Sequence, residues 1–129
     1  MATGFGSSDV PQTKHSLIAS DRIEGTAVRR AGGDKIGKIE RLMLDKVSGT
    51  VAYAVLSFGG FLGIGNKHFP IPWARLKYNP NSEAYEVDVS DDELKKAPSY
   101  EMNEDFDWGD RSREITIHNY YRAPHYWDV

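Results

Sequence analysis

With 129 residues, 40% of them hydrophobic and 27% charged, the chain is sized for one domain, or for one domain with a tail. It has no cysteine, which excludes a disulfide framework, a thiolate metal site and a cysteine nucleophile. A formal net charge of -3 excludes a strong whole-domain pull on nucleic acid or on anionic lipid.

Residues 1–15 are rich in Gly, Ser and Thr, without a basic start or an apolar run. They read as a flexible N-terminal arm and not as a secretory signal. Leu17 and Ile18 predict a short first strand, Asp21 to Gly25 a turn, and Thr26 to Arg30 a second short strand. Gly32-Gly33-Asp34 is a turn signal. Ile36 to Asp45 follows as a long strand whose alternation is imperfect, and Gly37 inside it predicts a bulge or bend that re-phases the side chains. Asp45 to Gly49 is a hairpin turn, and Thr50 to Phe58 is an uncharged strand with apolar residues on both parities. Both of its faces are expected to be covered, or one to meet a partner.

Val47 to Asn66 is a stretch of 20 residues without a charge, which calls for a membrane test. A spanning helix needs about 20 mostly apolar residues. Here 11 are apolar and five are glycine, and β-branched and aromatic residues fill the first half. One strand followed by a glycine loop is the reading, with no integral membrane segment and a cytoplasmic location.

Phe69 to Trp73 must be extended, because each proline disfavours helix at the residue before it. Ala74 to Tyr78 continues as a turn and strand, and Asn79 to Ser82 is a turn. From Ala84 to Val89, Tyr85, Val87 and Val89 alternate with Glu86 and Asp88 at period two. Ser90-Asp91-Asp92-Glu93 is a capping box for a short helix through Ala97, and Pro98 stops it. Residues 98–129 carry seven acids and three arginines, and seven of the 15 aromatics. That is too aromatic for ordinary disorder, so an ordered extension is expected. The architecture predicted is mostly β: a small closed barrel at 16–90, then one short helix and an aromatic, acidic C-terminal extension within 91–129.

The run Gly59-Gly60-Phe61-Leu62-Gly63-Ile64-Gly65-Asn66-Lys67-His68-Phe69-Pro70-Ile71-Pro72-Trp73 resembles the PRC-barrel family. Ala19 to Val28 is similar to that family's opening strand pair, and Lys35 to Glu40 with Leu44-Asp45 to its next strand, Gly37 standing at the usual glycine. Ser48-Gly49 and Tyr53 to Phe58 resemble the hairpin partner. The aromatic tail resembles an extension of stand-alone bacterial members. Other members resembled are the cytoplasmic domain of the photosynthetic reaction centre H subunit and the C-terminal domain of a ribosome-maturation factor. The resemblance implies a small β-barrel used as an interaction or assembly module, with no shared catalytic residues.

Candidate chemistry is sparse. The glycine loop lacks a following GK[ST], and Pro70 and Pro72 forbid the helix that a phosphate cradle uses, so it reads as a structural turn or an apolar contact patch. The histidines are His15, His68, His118 and His125, and none pair at i,i+4. His118 and His125 with Glu101, Glu104, Asp105, Asp107 and Asp110 are the set that a metal site would have to draw on, and no metal or other cofactor is expected. No catalytic residue is assigned. Arg29, Arg30, Lys35, Lys38, Arg41 and Lys46 are the basic concentration; they make an RNA- or ribosome-linked binder the alternative, though no aromatic for base stacking lies within 26–46. A peripheral partner of a membrane redox complex is a second alternative, from the resemblance alone.

The preferred reading is a non-enzymatic module that self-associates as a dimer and presents its surface to a further protein partner. Phe61, Leu62, Ile64, Trp73, Trp108, Tyr120, Tyr121, Tyr126 and Trp127 are the expected contacts, since aromatic side chains bury large area at low entropy cost. The other possibility for the tail is that it folds back over its own barrel.

Overall fold

The computed structural model describes residues 17–59 and 67–128. Leu17 and Ile18 do not form the expected strand; they are exposed and lead into a single helical turn, α1 (Ser20–Ile23), where a turn was expected. Four residues hold too little periodicity to signal a helix, and only Ile23 of the four is buried. The strands then follow in the anticipated places: β1 (Ala27–Arg30), β2 (Lys35–Leu44), β3 (Val51–Phe58), β4 (Lys67–Pro72), β5 (Leu76–Asn79) and β6 (Ala84–Val87). A 3-10 turn at Trp73–Arg75 joins β4 to β5.

The seven strands form one sheet in the order β5-β6-β1-β2-β3-β4-β7, where β7 is Tyr100–Glu101. All pairings are antiparallel except β1 with β6, which is parallel. The ladder does not close on itself among the described residues, so the expected closed cylinder is not what the backbone pairing gives. The sheet is nevertheless strongly curled. β4 and β5 lie at opposite ends of the first six strands, yet three residues join them. Three residues span at most about 10 Å. Pro70 and Pro72 have no N–H to offer, and the short β7 pairs with β4 only at Lys67 and His68, before the prolines.

Gly37 permits the bend in β2. A Cβ there would collide with the Ser57 carbonyl oxygen and lie 2.8 Å from Phe58 Cδ1. The register skips a residue at Ile36 against β1 and again at Glu40 against β3. Those two extra residues re-phase the strand, which is why its apolar parity changes along its length.

Opposed residues of an antiparallel pair share a face. Ile39, Ala54, Leu56, Phe69 and Ile71 therefore point to the inside of the curl, with Val28, Tyr85 and Val87. Phe58 and Phe69 meet edge to face at 5.1 Å. Arg41, Met43, Tyr53, Val55, Pro70 and Pro72 point outward. β3 is buried on both faces, the first of the two outcomes its composition allowed.

The second cover is the C-terminal extension. After α2 (Asp91–Lys96), with both capping-box hydrogen bonds formed, come β7, an eleven-residue helix α3 (Arg111–Tyr121) and a last 3-10 turn at Tyr126–Asp128. α3 was not anticipated. Its buried residues are Glu114, Ile117, His118 and Tyr121, so the helical spacing is present but two of its four positions are polar. Asp110 caps it by accepting from the Ser112 N–H. α3 packs on β4.

Candidate functional site

The titratable side chains that the fold brings together lie between the outer face of β3 and α3. Tyr53, outward on β3 and 1% exposed, is ringed by Trp108 at 5.6 Å, His118 at 5.2 Å and Tyr126 at 5.8 Å between centroids. Its hydroxyl donates to Glu114 Oε1 at 2.8 Å, and the Tyr126 hydroxyl donates to the same oxygen at 2.6 Å. Arg111 Nε lies 3.6 Å from Glu114 Oε2. Both oxygens of this buried carboxylate therefore face donors or positive charge, as burial demands.

His118 Nε2 is 2.9 Å from the Tyr53 hydroxyl oxygen. A phenol has one proton, and Tyr53 spends it on Glu114, so His118 must donate through Nε2–H. That fixes the tautomer and leaves Nδ1 as a bare acceptor, buried and without a partner among the described residues. Burial pushes His118 below the ordinary imidazole value. Burial, reinforced by the bond to Glu114, lifts Tyr53 far above the ordinary phenol range and Tyr126 to about 12. Near neutrality the cluster is thus two protonated phenols and a neutral imidazole around one carboxylate. Apart from His118 Nδ1, its donors and acceptors are directed at one another, which makes it a latch between sheet and helix.

Around the latch, Arg111 lies 3.9 Å over the Trp127 ring, and His125 stacks on that ring at 4.4 Å. Tyr100, Phe106 and Trp108 form a second aromatic group, with Tyr100 edge-on to His68 at 5.5 Å. Arg75 donates to the Tyr121 carbonyl at 2.8 Å, and the Tyr120 hydroxyl donates to the Glu93 carbonyl.

The expected contact residues are therefore distributed. Trp108, Tyr121, Tyr126 and Trp127 pack onto their own chain, Tyr120 is tied to α2, and Trp73 fills the seam beside Tyr85 at 5.2 Å. Phe61, Leu62 and Ile64 lie outside the described residues. Leu44 and Val47, 52% and 93% exposed, stand on the β2–β3 hairpin, where Asp45 is within electrostatic reach of Arg111 and Tyr126.

Most of the basic residues are gathered on one side of the sheet. Arg29 opposes Lys35, Ala27 opposes Lys38, and Lys38 and Arg41 oppose Ser57 and Val55, so those four cations share one outer face, and Glu86 sits beside Arg29 across β6. Arg30 turns the other way, to Asp91 and the Val89 carbonyl. Arg41 lies near Tyr100, and Lys46 is on the hairpin turn. His118 and His125 do approach, at 5.4 Å between ring centroids, but among the described residues no three His, Asp or Glu side chains are placed to hold a metal. No helix among them is long and apolar enough to cross a membrane.

Sequence reasoning missed Tyr53, Glu114 and Arg111 as parts of one cluster. The available signal was Asp110 followed by Glu114, Ile117, His118 and Tyr121, a cap and then one helical face. Compared with known families, the chain matches the one described as the PRC-barrel domain, over residues 15–94. No curated protein matches it.

Proposed function

The chain belongs to the PRC-barrel domain family, and from that membership we propose that it is a non-enzymatic interaction and assembly module that associates with itself. The observation that carries this reading is the exposed apolar pair Leu44 and Val47 on the β2–β3 hairpin, which stands in solvent beside an outer sheet face already covered by the chain's own α3. In this reading the curled sheet serves as the family's barrel, its seam between β4 and β5 filled by Trp73 and Tyr85 instead of a backbone ladder. Self-association is favoured over nucleic-acid binding because the face that four of the six cations share carries Glu86 beside Arg29 and draws no base-stacking aromatic from 26–46.

Size-exclusion chromatography with light scattering tests the proposal. The expected result is a concentration-dependent dimer that Trp127→Ala perturbs, because Trp127 seats the last turn against His118 and Arg111. A strict monomer at high concentration, for wild type and variant alike, overturns it.

A further inference from the structure

Strand register brings to the basic outer face a cation that lies far from the others in sequence. Lys77 opposes Glu86 across β5–β6, Glu86 sits beside Arg29 across β6–β1, and Arg29 opposes Lys35 across β1–β2. Opposed residues share a face, so Lys77, Glu86, Arg29 and Lys35 form one row over four strands. Lys38 opposes Ala27 and Ser57 on the same side. Lys77, Lys35 and Lys38 are exposed, and Arg29 is half-buried. With Arg41, the face holds five cations against the carboxylates of Glu86 and Glu40, in a chain whose net charge is -3.

Exposed cations on an edge strand guard against stray pairing. That role does not apply to Arg29, Lys35 and Lys38, because β1 and β2 each have a partner strand on both sides. Among the described residues, none of Lys77, Arg29 and Lys35 enters an ion pair, and Lys38 stands 3.9 Å from Glu40, which also accepts from the Ser57 hydroxyl. A cleft of about 340 Å³ opens beside the two lysines, lined by Lys35, Lys38, Ser57 and Gly59 among others. It offers a recess for a partner's side chains.

Surplus positive charge on one face is complementary to an acidic partner. The row is not of one sign, however. Glu86 lies between Lys77 and Arg29, and the Asn79 amide donates to it at 2.9 Å. A nucleic-acid strand carries a phosphate at every step and would set one against Glu86. An extended polypeptide can instead place acids at every second residue, about 7 Å apart, and a neutral residue over Glu86. Neither the row nor Lys38 supplies an aromatic ring for base stacking. We propose that this face docks an extended acidic segment of another protein, whose carboxylates meet Lys77, Arg29, Lys35 and Lys38. The proposal goes beyond self-association and uses a different surface: Leu44 lies six residues further along β2 than Lys38, about 20 Å away.

Fluorescence anisotropy of a labelled peptide of alternating Glu and Ser, titrated with the full chain at about 50 mM salt, tests the docking face. Binding is expected, with its loss at about 500 mM salt. Lys35→Glu with Lys38→Glu is expected to weaken it about tenfold or more, and Lys35→Gln with Lys38→Gln, which adds no repulsion from Glu40, to weaken it less. Lys95→Glu with Lys96→Glu makes the same change of net charge on α2 and is expected to leave binding nearly unchanged. Absence of peptide binding by the wild type, or an equal loss from the α2 pair, overturns the proposal. Tighter binding of an oligothymidylate of equal charge also overturns it and makes the face a phosphate site. Size exclusion of the same proteins separates the two readings. A wild-type monomer that binds the peptide as expected overturns self-association and supports the docking face. A dimer lost only when Lys35 and Lys38 are reversed makes a second copy the occupant and overturns the proposal.

Discussion

Glu114 is the residue on which the contact between sheet and helix turns. It accepts from two phenols and faces Arg111, so its removal strands several groups at once. A buried donor without an acceptor costs about 1–3 kcal/mol. Glu114→Ala is therefore expected to destabilise the protein more than Tyr53→Phe, which removes the bond to Glu114 and the one from His118 but leaves Tyr126 and Arg111 facing their carboxylate. Urea unfolding of the two variants checks the order, and equal midpoints would count against the latch. Gly37 is critical for a different reason, since a methyl there meets the Ser57 carbonyl and Phe58 in a space already filled. Gly37→Ala is expected to cost about 1–3 kcal/mol, the usual range for overpacking.

At the scale of elements, legibility followed chemistry. The strands from β1 to β6 were readable because their inner faces are apolar at period two and their turns, apart from Trp73–Arg75, hold glycine or asparagine. The capping box was readable because it is a local bargain among Ser90, Glu93 and two backbone N–H groups. Ser90→Ala is expected to cost about 1 kcal/mol of that helix's stability, seen as faster amide exchange over 91–96. α3 was not readable, because Glu114 and His118 occupy half of its buried face and polar residues there erase the apolar stripe that announces a helix. The polarity that hid the helix also forms the latch, so one feature concealed both the element and the site. The open ladder was equally hidden: strand patterning sets pairing and facing, whereas closure depends on whether the end strands meet, and the prolines of β4 with the two-residue β7 decide that locally.

Over the whole molecule, two buried histidines set the response to pH. His68, between β4 and Tyr100, and His118, in the latch, both titrate below the ordinary value because burial disfavours the charged ring. In the unfolded chain each would take up its proton near pH 6.5. As pH falls from there toward the lower folded values, the unfolded state binds more protons than the folded one, and stability drops with them. Above about pH 6.5 both rings are neutral in both states, and this stabilising difference is fully present. The melting temperature is accordingly expected to be flat on the alkaline side of 6.5 and to decline through the mildly acidic range. His118→Gln keeps an amide N–H for the Tyr53 oxygen but carries no titrating group. It is expected to lower the plateau slightly and to make the acid decline shallower, leaving the share due to His68. Calorimetry of both proteins across that range decides the matter: a melting temperature that does not fall on acidification, or a slope unchanged by His118→Gln, would show that the latch is not the acid-sensitive joint between the sheet and its cover.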